Sequence, residues 1–245
     1  MRTANPTLND RVFTDAPAVV GGQSMTLQGV VNKTFILTLM MASSAGFAWQ
    51  YVQTHPQAGG LLTIGSALVG FVLVMISSFK PTLSPVIAPA YGVIEGVFVG
   101  VISARYAALY NGIVLQASLL TLGILFALLF AYQSRLIKAT ENFKLGIVAA
   151  TGGIAIVYLA SIVLGFFGIQ IPLIHESGMV GIGFSLVVVV IAALNLVLDF
   201  DFIENGVAHG APKYMEWQAA LGLLVTLVWL YIEMLRLLSK LRSRD

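Results

Sequence analysis

The sequence predicts an all-α integral membrane protein of seven transmembrane helices, and three observations carry that reading. Of 245 residues, 58% are hydrophobic and only 10% are charged. The mean hydropathy is +0.91. A soluble domain carries roughly 25% charged residues, and a body of this size could not coat itself with fewer than half of that. Long uncharged stretches of about 20 residues, the length that crosses a ~30 Å hydrocarbon core, recur along the chain.

Residues 1–30 hold Arg2, Asp10, Arg11 and Asp15, with no apolar run behind a basic start. They read as a flexible cytosolic tail rather than a signal peptide. No charge falls between Lys33 and Lys80, but His55-Pro56-Gln57 and Gly59-Gly60 divide that stretch. The first two spans are therefore expected at 34–52 and 60–79. The third, 84–104, carries a single acid, Glu95, and has Pro85 and Pro89 in its first turns. Ala88, Gly92, Gly96 and Gly100 recur every four residues along it, a stripe on which another backbone can approach closely. The fourth span is expected at 111–132, the fifth at 145–167, the sixth at 180–199 and the seventh at 217–238. The longest loop then covers 200–216. A short basic tail, 241–245, closes a membrane domain of residues 31–240.

Counting Lys and Arg sets the orientation. With the N-terminus inside, Arg2, Arg11, Lys33, Lys80, Arg135, Lys138, Lys144 and Lys213 are cytosolic, against Arg105 alone outside. Arg236, Lys240, Arg242 and Arg244 oppose the rule, because an odd number of spans puts the C-terminus outside.

A net charge of +2 is no nucleic-acid footprint, and with no cysteine there is no thiolate chemistry or disulfide. No His-Glu-x-x-His, Gly-x-Ser-x-Gly or Walker loop occurs, and no lysine lies mid-membrane to hold a retinal Schiff base. An enzyme is not expected, nor a cofactor.

The candidate functional residues are acids that hydrocarbon disfavours. Glu95 lies eleven residues into its span, roughly 16 Å deep. Asp199 follows the apolar run Leu196-Val197-Leu198 and is expected to point into the bundle, at a helix C-terminus where the dipole disfavours an anion. Asp201 and Glu204, on other faces, are expected in solvent. Asn195 shares the face of Asp199. Glu233 sits deep in the seventh span, with Arg236 three residues on as an internal ion partner. If Asp199, Glu95 and Glu233 face one cavity, they form a ladder for a cation or protons.

Three stretches resemble the Bax inhibitor-1 family, specifically its bacterial YccA-like branch. They are Asn5-Pro-Thr-Leu-Asn9, Tyr91-Gly-Val-Ile-Glu-Gly96, and Leu196-Val-Leu-Asp-Phe-Asp-Phe-Ile-Glu204 running on to Gly210-Ala-Pro-Lys-Tyr-Met-Glu-Trp217. The resemblance implies seven helices with the last in the middle of the other six. It also implies a pH-sensitive calcium leak, gated by two aspartates that act together as the sensor. Asp199 matches the first; the position nearest the second is about Thr226, which cannot ionise. Glu233 or Glu95 would then be the partner, or this branch gates differently. Beside a calcium pathway stand a non-transporting regulator of a membrane protease or quality-control partner, and a small-molecule transporter.

Overall fold

The computed structural model describes residues 24–168 and 178–243. The expected tail motif Asn5–Asn9 and the end of the basic tail, Arg244 and Asp245, lie outside the described residues. Among the described residues, seven helices are long and apolar enough to cross a membrane. They are α1 (Leu27–Thr54), α2 (Gly59–Phe79), α3 (Ser84–Leu109), α4 (Ile113–Gln133), α5 (Glu141–Phe166), α6 (Met179–Ala208) and α7 (Met215–Arg242). Two single helical turns, Pro56–Ala58 and Pro81–Leu83, join α1 to α2 and α2 to α3. Each opens on proline, whose missing N–H is no loss at a first helical position. The outward faces carry a belt of exposed apolar side chains, among them Phe35, Phe47, Phe71, Phe126 and Ile156. The chain is a multi-pass integral membrane protein whose belt meets lipid.

Several helices outrun their expected ends. The segment expected as a tail to residue 30 already holds the start of α1. Thr26 caps it by accepting from the Gly29 N–H at 3.0 Å, and Met25 and Val30 are buried. Lys33 sits in the second turn, not at a boundary, because its ammonium reaches back to an acid on α7. The larger correction is at 200–216, expected as a loop. α6 runs on to Ala208 and stops in a Schellman turn: Ala211 N–H donates to the Gly206 carbonyl at 3.0 Å and Gly210 N–H to the Val207 carbonyl at 3.1 Å. Gly210 takes the left-handed φ of 65° that this turn requires. Asp199 is thus more than two turns inside α6, and the unfavourable helix-end dipole expected for it does not apply. α7 likewise extends through Arg242, so the separate tail at 241–245 is helical for two of its residues.

α7 packs against α1, α3, α4 and α6, and it has the largest buried share of the seven. The main core gathers Leu196, Val197, Leu230, Leu235 and their neighbours on α4, α6 and α7. The small-residue stripe of α3 lies against α1. A Cβ built on Gly96 would stand 2.3 Å from the Met41 carbonyl oxygen, and one on Gly100 2.3 Å from that of Ala45. In a bilayer, where burying apolar surface brings little drive, such close backbone approach is how two helices gain dispersion energy. α2 packs against α3, and α5 against α6.

Candidate functional site

Asp199 is 1% exposed in the α6 face beneath this packing. Asn195, one turn before it, is also buried; its amide donates to Thr151 Oγ1 on α5 at 2.9 Å and to the Ile191 carbonyl at 2.8 Å. Asp201 and Glu204 were expected in solvent; Glu204 is exposed as expected, Asp201 is largely withdrawn, and both are paired. Lys144 Nζ on α5 bridges to Asp201 Oδ2 at 2.7 Å, and Asn205 Nδ2 donates to the same oxygen at 2.9 Å. Glu204 accepts from Arg135 Nη2 at 2.9 Å and from the Tyr132 hydroxyl. Bases on the α4–α5 connection and on the start of α5 neutralise these acids, and that lets α6 continue beyond Asp199 as helix.

Glu233 is 1% exposed. Arg236 Nη1 donates to both of its oxygens, at 2.9 and 3.0 Å. Tyr158 on α5 donates its hydroxyl to the same two oxygens at 2.9 and 3.0 Å, while the Arg236 guanidinium lies 5.0 Å from the Tyr158 ring centre. The carboxylate is thus anchored between α7 and α5. Thr226 bonds the Gly222 carbonyl one turn back at 3.3 Å. Glu95 faces another way: its carboxylate lies against Gly70 of α2, where a Cβ would come within 2.9 Å of Oε2, beside the Tyr91 ring. The three acids therefore stand on different seams, Glu95 between α2 and α3, Asp199 on α6, and Glu233 toward α5.

Two cavities open elsewhere. One, of about 430 Å³, lies among α1, α3, α4 and α7; its polar wall includes Ser103, whose hydroxyl sits 2.7 Å from that of Tyr231. The other, of about 290 Å³, is lined by Leu27, Tyr132, Arg135, Phe200 and Glu204. Neither contains Asp199, Glu95 or Glu233. Among the described residues no three acidic or histidine side chains converge on a point that could hold a metal ion.

The most fully built polar site is one that sequence reasoning missed. Glu216, in the first turn of α7, is 0% exposed. It pairs with Lys33 and with Lys213 at 2.9 Å, and it accepts from both the N–H and the hydroxyl of Thr26 at 2.9 Å each. Gly29 passes directly over the carboxylate: a Cβ there would fall 2.1 Å from Oε1. Lys33 also lies 5.3 Å over the Trp217 ring. Met25 N–H donates to the Ala211 carbonyl at 2.7 Å, so residues 24–26 form a strap across the α6–α7 turn. The sequence shows Glu216 only as the last residue of the expected 200–216 loop; its burial was not legible, because besides Lys213 the groups that satisfy it come from Thr26 and Lys33, 190 and 183 residues away.

At the other end of α7, Lys240 Nζ donates to the Gly181 carbonyl at 3.0 Å, and Arg242 donates to the Asn111 carbonyl at 2.6 Å and to Gln116 Oε1 at 2.7 Å. Three of the cations that oppose the charge rule, Arg236, Lys240 and Arg242, are thus tied to Glu233, to carbonyls and to Gln116.

The family model described as Bax inhibitor 1 like matches residues 5–243. No curated protein and no solved structure matches the chain.

Proposed function

Because this chain belongs to the Bax inhibitor 1 like family, we propose that it is a passive cation pathway, a pH-sensitive calcium leak, and not an enzyme. The observation that carries the reading is Asp199, a carboxylate almost wholly removed from solvent inside the longest helix of an apolar bundle. A buried acid is costly to keep, so it needs a use. Ca²⁺ takes carboxylate, amide and hydroxyl oxygens. Asn195, Thr151, Asp201 and Glu233 supply such oxygens at other depths on the same side of the bundle as α5. Spaced oxygens suit transit, where each site must bind weakly enough to let the ion leave.

We place the end bearing Lys33, Lys80, Arg135, Lys144 and Lys213 in the cytosol of a cell membrane, which puts the C-terminus outside. The basic end of α7 does not oppose this placement, since Arg236, Lys240 and Arg242 are held by the protein itself. The resemblance to the YccA-like branch fits the same reading.

The test is the purified protein in liposomes loaded with a calcium dye. Wild type is expected to leak, with a rate that changes across neutral pH. Asp199→Asn should cut the leak by about tenfold or more, the effect of removing one charge that offsets ion dehydration, and should flatten the pH dependence. Glu95→Gln is expected to leave the leak unchanged, because Glu95 lies on the α2–α3 seam. A protein that stays tight at every pH would overturn the channel reading and favour the regulator of a membrane protease or quality-control partner.

A further inference from the structure

α5 differs from the other helices in how it is held. Its inward face repeats every seven residues: Lys144, Thr151 and Tyr158 alternate with Ile147, Ile154 and Ser161. Ile147 and Ile154 are buried, while Leu145, Ile156, Leu159 and Ile162 are exposed on the opposite side. This is the a/d seam of a coiled coil, but with a polar side chain at every a position. Each of those three reaches a polar partner: Lys144 binds Asp201, Thr151 accepts from Asn195, and Tyr158 donates to Glu233. From Lys144 to Tyr158 the rise is roughly 21 Å, about two thirds of the hydrocarbon core.

Among the described residues, little else fastens this helix. Of the other helices, α5 packs substantially only against α6. It carries Gly146, Gly152, Gly153 and Gly165, and a Cβ on any of them would meet nothing within 4 Å. On α3, by contrast, the glycines are dictated by close packing. Glycines that no contact requires lower helix stability. With no solvophobic drive between apolar faces in lipid, the three polar clasps carry a large share of what holds α5 closed.

We propose that the cation route runs along the seam between α5 and the α6–α7 pair, and that α5 is its movable wall. The proposal rests on the cation reading above and adds the place and the gate. In the closed state the Lys144 ammonium occupies Asp201, so a tethered internal cation fills the entrance where a mobile one would bind. Tyr158 and Arg236 satisfy Glu233 at the far end. When α5 swings away, Asp201, Asn195, Thr151, Tyr158 and Glu233 present a row of oxygens at successive depths, with Asp199 one turn from Asn195.

The chain has no cysteine of its own, so introduced thiols report without background. In phosphatidylcholine–phosphatidylglycerol liposomes, Ile154→Cys is labelled with a water-soluble thiol reagent in three backgrounds: otherwise wild type, Tyr158→Phe and Lys144→Met. The two clasps removed here, Tyr158–Glu233 and Lys144–Asp201, each involve a charged group, so the loss of either is expected to raise the labelling rate by about tenfold. The dye-measured calcium leak should rise with it. Cross-linking Thr151→Cys to Asn195→Cys should suppress the leak, and reduction should restore it. Tyr158→Phe removes a single hydroxyl and leaves the Glu233–Arg236 pair, so it keeps the test available if Lys144→Met does not fold. Equal labelling in all backgrounds overturns the movable wall whether or not the protein leaks. A leak indifferent to the cross-link overturns the route. Faster labelling with no leak in any variant supports the clasps and overturns the cation reading instead.

Discussion

Replacing Gly96 with alanine should be strongly destabilising, as should the same change at Gly100, whose Cβ would meet the Ala45 carbonyl oxygen at the same 2.3 Å. The new Cβ at Gly96 would lie 1.8 Å from Ser44 Oγ and 2.3 Å from the Met41 carbonyl oxygen. The serine hydroxyl can rotate, but the carbonyl belongs to the backbone of α1, so the two helices must separate. Overpacking costs 1–3 kcal/mol where side chains can adjust; with backbone as the obstacle, a loss of about 3 kcal/mol or more is expected. Gly96→Val should yield no folded protein. The matched control is Gly152→Ala on α5, where a Cβ meets nothing within 4 Å and alanine is the better helix former. It should be neutral or stabilising by up to about 1 kcal/mol. Melting of the two alanine variants in detergent, followed by gel filtration of heated samples, decides the matter. Equal melting temperatures would show that α1 and α3 are not in backbone contact.

Glu216→Ala is the second large effect. The substitution removes a buried anion and leaves Lys33, Lys213 and the Thr26 N–H without their acceptor. Breaking a buried pair by deleting one partner costs roughly 3–5 kcal/mol, and the lower end is expected because Lys213 is 43% exposed. The loss should be local in its consequences. The strap at residues 24–26 loses its anchor, Met25 comes out of the pocket formed with Phe202, Ile203 and Met215, and the start of α1 frays. Limited proteolysis should then cut near residues 24–26 many times faster than in wild type, while sites in the α3–α4 turn keep their rate. Glu216→Gln should fall between the two, since the amide oxygen still accepts from Thr26. Wild-type protection of the strap in Glu216→Ala would mean that the backbone bond from Met25 to Ala211 suffices.

Composition and charge spacing were enough to read a seven-span membrane protein, because lipid forbids both charge and unpaired backbone within the core. The same constraint marked Asp199, Glu95 and Glu233 as exceptional without any structure. The four-residue spacing of Ala88, Gly92, Gly96 and Gly100 announced close helix packing, though not that α1 would be the partner. Helix ends were less legible. Lys33, Asp201, Glu204 and Lys240 fall outside the spans expected at 34–52, 180–199 and 217–238, because a charge ends an apolar run. The tertiary structure brings each a partner from a distant segment, and the helix continues through it. Whether the three acids share one cavity was likewise beyond the sequence, since depth follows from residue number alone while facing depends on the rotation of packed helices. That rotation sends Glu95 to Gly70 and Glu233 to Tyr158. It was also the folded arrangement alone that gave Glu216 its role, since its hydrogen-bond partner Thr26 lies near the opposite end of the chain. Local sequence records what a residue costs to bury; only the assembled bundle decides which groups meet that cost.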